Sequence, residues 1–391
     1  AVQAVTSAEL NQVVSDLPVE HRNRLAALLE ALGSRETELH TDDMRMNLAA
    51  PVTGSVTDPC TVGGSSGQGG PGALSTAKIN SDVPLEYADI ASGKGCVIAL
   101  VEKRGITLTQ LNLLFRHIER RCAREKWTGR HGEELTQEFI NLYAVVRYVV
   151  KPATLPRRCS YVELVALSMQ PPHWFVSHWW GAALLDFITC IQEHAKLRGL
   201  VGGVAWWVCA YANSQHNITS EIGSVDPVES AFGKALGIVK GTLSILDRDA
   251  TTFTRIWCGF EVSTTLQRRG LLYDIATVPA GSSSATIITD GLTQEDELCG
   301  HQGSWDNRGG PYGYKVWRER NFPLNLAQKS MELKLEDGEA SVESDRIHIL
   351  NKIAGQPNLT APPPTTHGAF DYVNSGLRWR FGLAVYMLAE E

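Results

Sequence analysis

Several things are scarce in this chain, and each scarcity removes a class of function. No CxxC pair occurs among the eight cysteines, which stand far apart at 60, 96, 122, 159, 190, 209, 258 and 299. Several, such as Cys190 and Cys209, lie inside apolar runs, so they read as reduced core thiols in a cytoplasmic setting rather than as a disulfide framework or a zinc knot. The longest apolar stretch, Gly199 to Ala212, is too short to span a bilayer, and no segment reads as a signal peptide. There is no excess of positive charge: the net charge is −7, which leaves nucleic acid without a basic footprint to bind. The glycine-rich run GGSSGQGGPG neither follows a strand nor opens a helix, so it is not a phosphate loop. Asn217-Ile-Thr219 and Asn358-Leu-Thr360 are sequons that would matter only in a secreted protein.

What is present is an ordinary globular composition, 43% apolar and 20% charged over 391 residues, enough for two or three domains. Residues 1–49 contain a helical hairpin. Thr6 and Glu9 have capping-box spacing, and Pro18 opens a second helix with Leu25, Leu28, Leu29 and Leu32 at helical intervals. Residues 50–95 are a linker by composition. Residues 96–170 form a helical layer. Its first helix, Thr107 to Trp127, has an apolar face and a basic one (Arg116, Arg120, Arg121, Arg124). A second runs from Glu133 to Val150, where Pro152 stops it, and Ser160 caps a third.

Between residues 171 and 285 apolar runs alternate with amphipathic helices. Strands are expected at Trp174–Ser177, Val204–Tyr211, Thr242–Leu246 and Leu271–Val278. Helices are expected at Ala182–Leu197, Val228–Val239 and Arg255–Gln267. That alternation implies a parallel sheet covered on both faces, whose ligands bind beyond the carboxyl ends of the strands. Polar residues collect at those ends: Ser177-His178-Trp179-Trp180 after the first strand, Asn213 to His216 after the second, Asp247 after the third. The helix that follows carries Trp257 and Glu261 four apart, on one face. Residues 286–391 read as an extension docked on the sheet, with WDNRGGPYGY a loop and helices at Ser341–Ala354 and Asp371–Ala389.

Two of these motifs, WFVSHWWG (Trp174 to Gly181) and RIWCGFE (Arg255 to Glu261), resemble the Toll/interleukin-1 receptor/resistance (TIR) fold, over about residues 172 to 280. A closer resemblance, from about 105 to 385, is to a mostly uncharacterised group of dinoflagellate and related algal proteins. It is carried by SHWWG, WVCAYAN (Trp207 to Asn213), RIWC..E, YVVKPAT, SYVELVAL and DRIHILNKI. Here the loop after SHWWG is Ala182-Ala183, where that group leads one to expect an acidic residue. The TIR resemblance implies a flavodoxin-like sheet. It also implies that Glu261 is the catalytic residue of a hydrolase with NAD as substrate rather than cofactor. One carboxylate is enough for that chemistry, by stabilising an oxocarbenium-like transition state, and Trp179 and Trp180 could stack on a base.

Each candidate has a plainer reading. His178 is either a general acid or base or a histidine bonded to a neighbouring loop. Cys258 with His178 makes a thiol pair, or Cys258 is a buried inert thiol. Asp247 caps its turn or pairs with Arg248 or Arg255, or it is a second pocket carboxylate. Trp257 packs the core or lines the pocket with Ser177, Asn213 and His216. His173, His178 and His216 match no metal spacing, so no metal is expected. Beside the hydrolase stands a non-catalytic interaction module, self-associating or bound to a protein partner, or a structural subunit of a larger complex.

Overall fold

In this computed structural model residues 84–91, 95–129 and 131–386 are described. The helical hairpin expected in residues 1–49 and most of the linker lie outside them. The part of that linker that is described does not behave as one. Tyr87 and Ile90 are buried in the core, and Tyr87 lies beneath the Arg121 guanidinium at 4.6 Å.

The protein is α/β, with one six-stranded mixed sheet and flanking helices. The strands are β1 (Ile106–Thr107), β2 (Trp174–His178), β3 (Ala205–Trp207), β4 (Gly241–Leu246), β5 (Leu272–Thr277) and β6 (Thr286–Ile288), in the order β1-β3-β2-β4-β5-β6. The central run β3-β2-β4-β5 is parallel. Every residue of β2 and β4 is buried, as strands covered on both faces must be. Both edge strands run antiparallel, so the all-parallel expectation holds only at the centre. β1 is two residues long and β6 three, lengths that leave no periodicity to read. β6 also lies beyond residue 285, which makes the C-terminal extension part of the sheet.

The helices that position the site are α1 (Leu108–Glu125), α2 (Tyr161–Val165), α3 (Leu184–Leu197), α4 (Ala231–Leu236), α5 (Ile256–Gln267), α6 (Gly310–Glu319), α7 (Glu343–Ile353) and α8 (Gly368–Tyr386). Thr107 with Gln110 and Ser160 with Glu163 form the capping boxes of α1 and α2. Strand alternation divides the packing. Trp174 and His178 face α3, where Trp174 meets His194 edge-on at 4.3 Å and His178 meets Phe187 at 4.9 Å. Phe175 faces the other way and stacks on Trp207 at 5.0 Å, next to Phe232 of α4. On that same side Thr242 of β4 hydrogen-bonds Thr265 of α5 at 2.7 Å.

Three expected elements take a different form. The second strand stops at Trp207, because Cys209–Ala212 turn into a short helix. The helix expected from Glu133 begins at Leu142, capped by Asn141, and continues through Pro152 to Thr154. Proline there cannot donate to the carbonyl of Tyr148 and would clash with it. A π-helical stretch, Val146–Val150, opens the turn, and the Tyr87 hydroxyl donates to the freed Tyr148 oxygen at 3.2 Å. Finally, the expected WDNRGGPYGY loop is a 3₁₀ turn, Gly303–Arg308, followed by α6. No helix among the described residues is long and apolar enough to cross a membrane.

Candidate functional site

Three chain segments converge at the carboxyl ends of β2 and β3. The first is the end of β2, Ser177-His178, with its continuation Trp179-Trp180-Gly181. The second is the turn after β3, Cys209 to Gln215. The third is the amino-terminal half of α5, which places Cys258 and Glu261 over β2.

Glu261 is 4% exposed, and its Oε2 has no hydrogen-bond partner. Burial pushes its carboxyl up to about 8; the adjoining Ser177 hydroxyl and Cys258 thiol oppose this only in part. Among the described residues no lysine, arginine or histidine pairs with it. Arg255 donates to Ser341, and Arg268 to the carbonyl of Leu236 at 2.7 Å. Ser177 Oγ is fully buried and also lacks a well-formed hydrogen bond. A buried polar atom without a partner costs about 1–3 kcal/mol, and native structures hold few. Glu261 Oε2 and Ser177 Oγ are thus two buried polar atoms with spare hydrogen-bonding capacity on facing elements.

The same end of the sheet holds more of them. Asn213 is 0% exposed and neither its Oδ1 nor its Nδ2 is partnered; the Tyr211 hydroxyl, equally buried, is also without a partner. Tyr211 was not among the residues singled out in the sequence, although it lies within WVCAYAN. Reading that stretch as strand hid the helical turn Cys209–Ala212 that sets where Tyr211 and Asn213 fall.

His178 is placed apart. It is adjacent to Ser177 on one strand, so its ring projects to the opposite face. There Nδ1 contacts the carbonyl of Val176 at 3.1 Å and Nε2 is unpartnered. Burial lowers its pKa to about 4, which keeps the ring neutral. His178 and Glu261, the two catalytic candidates, are thus separated by the sheet. The Cys258–His178 thiol pair does not form either: Cys258 Sγ meets the backbone oxygen of His178 at 3.8 Å, and burial raises the thiol well above its ordinary range. Burial likewise pushes Cys209 up to about 12.

The tryptophans divide as well. Trp179 is half-buried and lies over Gly181, where a Cβ would come within 2.2 Å of its ring. Any side chain at Gly181 would require the Trp179 ring to move. Trp180 bridges inward, its indole N–H donating to Cys209 Sγ at 3.0 Å while the ring meets Tyr143 of the helical layer at 5.5 Å. Trp257 stacks on Phe232 at 4.9 Å and donates to Asp345 of α7 at 3.0 Å. The C-terminal region therefore braces the helix that bears Glu261.

His216 contacts Thr154 Oγ1 at 2.9 Å, which ties it to the helical layer. Asp247 receives the Thr251 hydroxyl at 2.7 Å and the amides of Asp249 and Thr252. It is a turn cap, one of the two plainer roles open to it. His173 precedes the amino end of β2, away from His178 at the other end, and no group of three or more metal-ligating residues is assembled among the described residues.

The arrangement offers a single buried carboxyl with hydroxyl and amide groups at the same strand ends. No family model, curated protein or solved structure matches this chain.

Proposed function

We propose that the chain is built around a TIR-like, flavodoxin-type core and that the carboxyl ends of β2 and β3 form a nucleotide site. In that site Glu261 promotes hydrolysis of the nicotinamide–ribose bond of NAD. The strand run β3-β2-β4-β5 supports the core reading: in chain order these are the second, first, third and fourth parallel strands, as in flavodoxin-like sheets. The observation that carries the function is the isolation of Glu261, a buried carboxyl with an unpartnered oxygen and no counter-charge.

Bond cleavage sends the C1′–N electron pair to nicotinamide and leaves an oxocarbenium-like ribose. An ionised Glu261 stabilises that positive charge where water cannot screen it. Water then adds to C1′ and releases a proton, giving ADP-ribose. The adjoining Ser177 hydroxyl is assigned to orient the carboxyl in the bound complex. His178, on the far face, has no step in this scheme.

The test is nicotinamide release from NAD followed by chromatography, with wild type against Glu261→Gln. Turnover is expected, with a loss of at least about a hundredfold in the variant. Unchanged turnover in Glu261→Gln removes the residue from the mechanism. No turnover in the wild type removes the hydrolase.

A further inference from the structure

The isolation of Glu261 has a consequence for what can sit against it. Ionisable side chains are almost never buried unless paired, and the other buried carboxyls with resolved ion pairs obey this. Asp274 has Arg198 and His194, Asp296 has Arg318, and Glu319 has Lys315. Glu163 faces Arg104, and Glu261 is the one buried carboxyl among the described residues with no such partner. Two groups act on it, Ser177 from β2 and Cys258 from its own helix, and it acts in turn on Cys209 from the turn after β3. The two thiols are held protonated by burial. Among the described residues, β4, α7 and α8 contribute no charged group to it.

We infer that the ligand group seated against Glu261 is a cation, and that its binding expels a proton from the carboxyl. This rests on the reading of the same site given above and makes it more specific: the site selects positively charged N-substituted heterocycles over neutral ones of the same shape. The balance is simple. The neutral acid and the cation come together, the acidic proton leaves to solvent, and a buried carboxylate–cation pair remains. A neutral ligand gives the carboxyl no reason to ionise, so it releases no proton.

The coupling fixes the sign of the pH dependence. Below the folded-state value of about 8 the free site is protonated and the cation must displace that proton. Its affinity therefore rises about tenfold per pH unit up to that value and then levels off.

The experiment is isothermal titration calorimetry on the full chain with the N-methylnicotinamide cation and with neutral nicotinamide. Each is titrated at several pH values in two buffers of different ionisation enthalpy. The expected result is cation binding that strengthens about tenfold per pH unit below about pH 8, with close to one proton released, and neutral binding that does neither. Glu261→Gln, which mimics the protonated acid, is expected to abolish the slope and bring the cation down to the affinity of the neutral ligand. Proton release is read on the wild type, so it does not depend on how the variant folds. Cation binding no tighter than neutral binding, no detectable cation binding, or no proton release overturns the inference. NAD turnover without cation preference overturns it too, while leaving the hydrolase standing. Proton-coupled cation binding without nicotinamide release supports the inference and removes the hydrolase.

Discussion

Two carboxyls are buried against opposite faces of the same sheet, and they have been treated in opposite ways. Asp274, in β5, accepts from Arg198 at 2.6 and 2.9 Å, from the backbone N–H of Asp290 at 3.0 Å, and meets His194 Nε2 at 3.0 Å. These partners outweigh burial and bring its pKa down to about 2. Glu261, similarly buried, has an adjoining hydroxyl and thiol and is held at about 8. Same sheet, same chemical group: the difference is a guanidinium. Asp274 pins the β5–β6 hairpin to α3 and has no capacity left for a ligand. Glu261 retains an unused oxygen.

That contrast can be broken most forcefully at Asp274. Asp274→Ala leaves Arg198 and His194 buried and unpaired, and is expected to lower stability by about 3–5 kcal/mol, read by chemical denaturation. Glu261→Gln should do the reverse near pH 7.5, raising stability by on the order of 3 kcal/mol by removing a carboxyl that burial opposes.

The sign follows from linkage. A carboxyl raised from 4.5 to about 8 contributes fully below about pH 4.5 and loses that contribution as pH rises through about 8. The gain in Glu261→Gln should thus shrink to nothing near pH 4.5, and a gain independent of pH would contradict the assigned burial. His178 and Asp274 are both depressed, to about 4 and about 2. Their contributions are present above the unfolded values and lost as pH falls through the folded ones, so the wild type should weaken at both extremes.

A smaller effect sharpens the division between scaffold and site. Asp247→Ala removes a turn cap and should lower stability by about 1 kcal/mol, leaving the pH slope of cation binding intact. A change in that slope would return Asp247 to the pocket. Smallest of all, Trp180→Phe removes the indole N–H from the weak sulfur acceptor of Cys209, with about 0.5 kcal/mol expected in a thermal melt.

Much of this was legible in the residues alone. The central strands and the helices between them follow from apolar runs alternating with amphipathic spacing, and Asp247 sits where a turn cap would. The opposition of Ser177 and His178 was also there to be read, since neighbours on a strand cannot share a face. What could not be read has physical reasons. β1 and β6 are too short for a period. The helix through Pro152 is accommodated by the π-helical stretch and by donors distant in sequence, Tyr87 and Arg121, to the carbonyl that proline abandons. The absence of a counter-charge at Glu261 is a property of three-dimensional surroundings: Arg255 and Arg268 lie near it in sequence and turn elsewhere.

The bond from Trp257 to Asp345, together with β6, bears on how the molecule can be dissected. A fragment cut at residue 285 would present the open flank of β5 to solvent, inviting strand-to-strand aggregation, and would set free the indole that steadies the acidic helix. Minimal versions of this protein should keep residues 286–391, because the helix that carries Glu261 is braced by sequence that a domain map drawn from periodicity would discard.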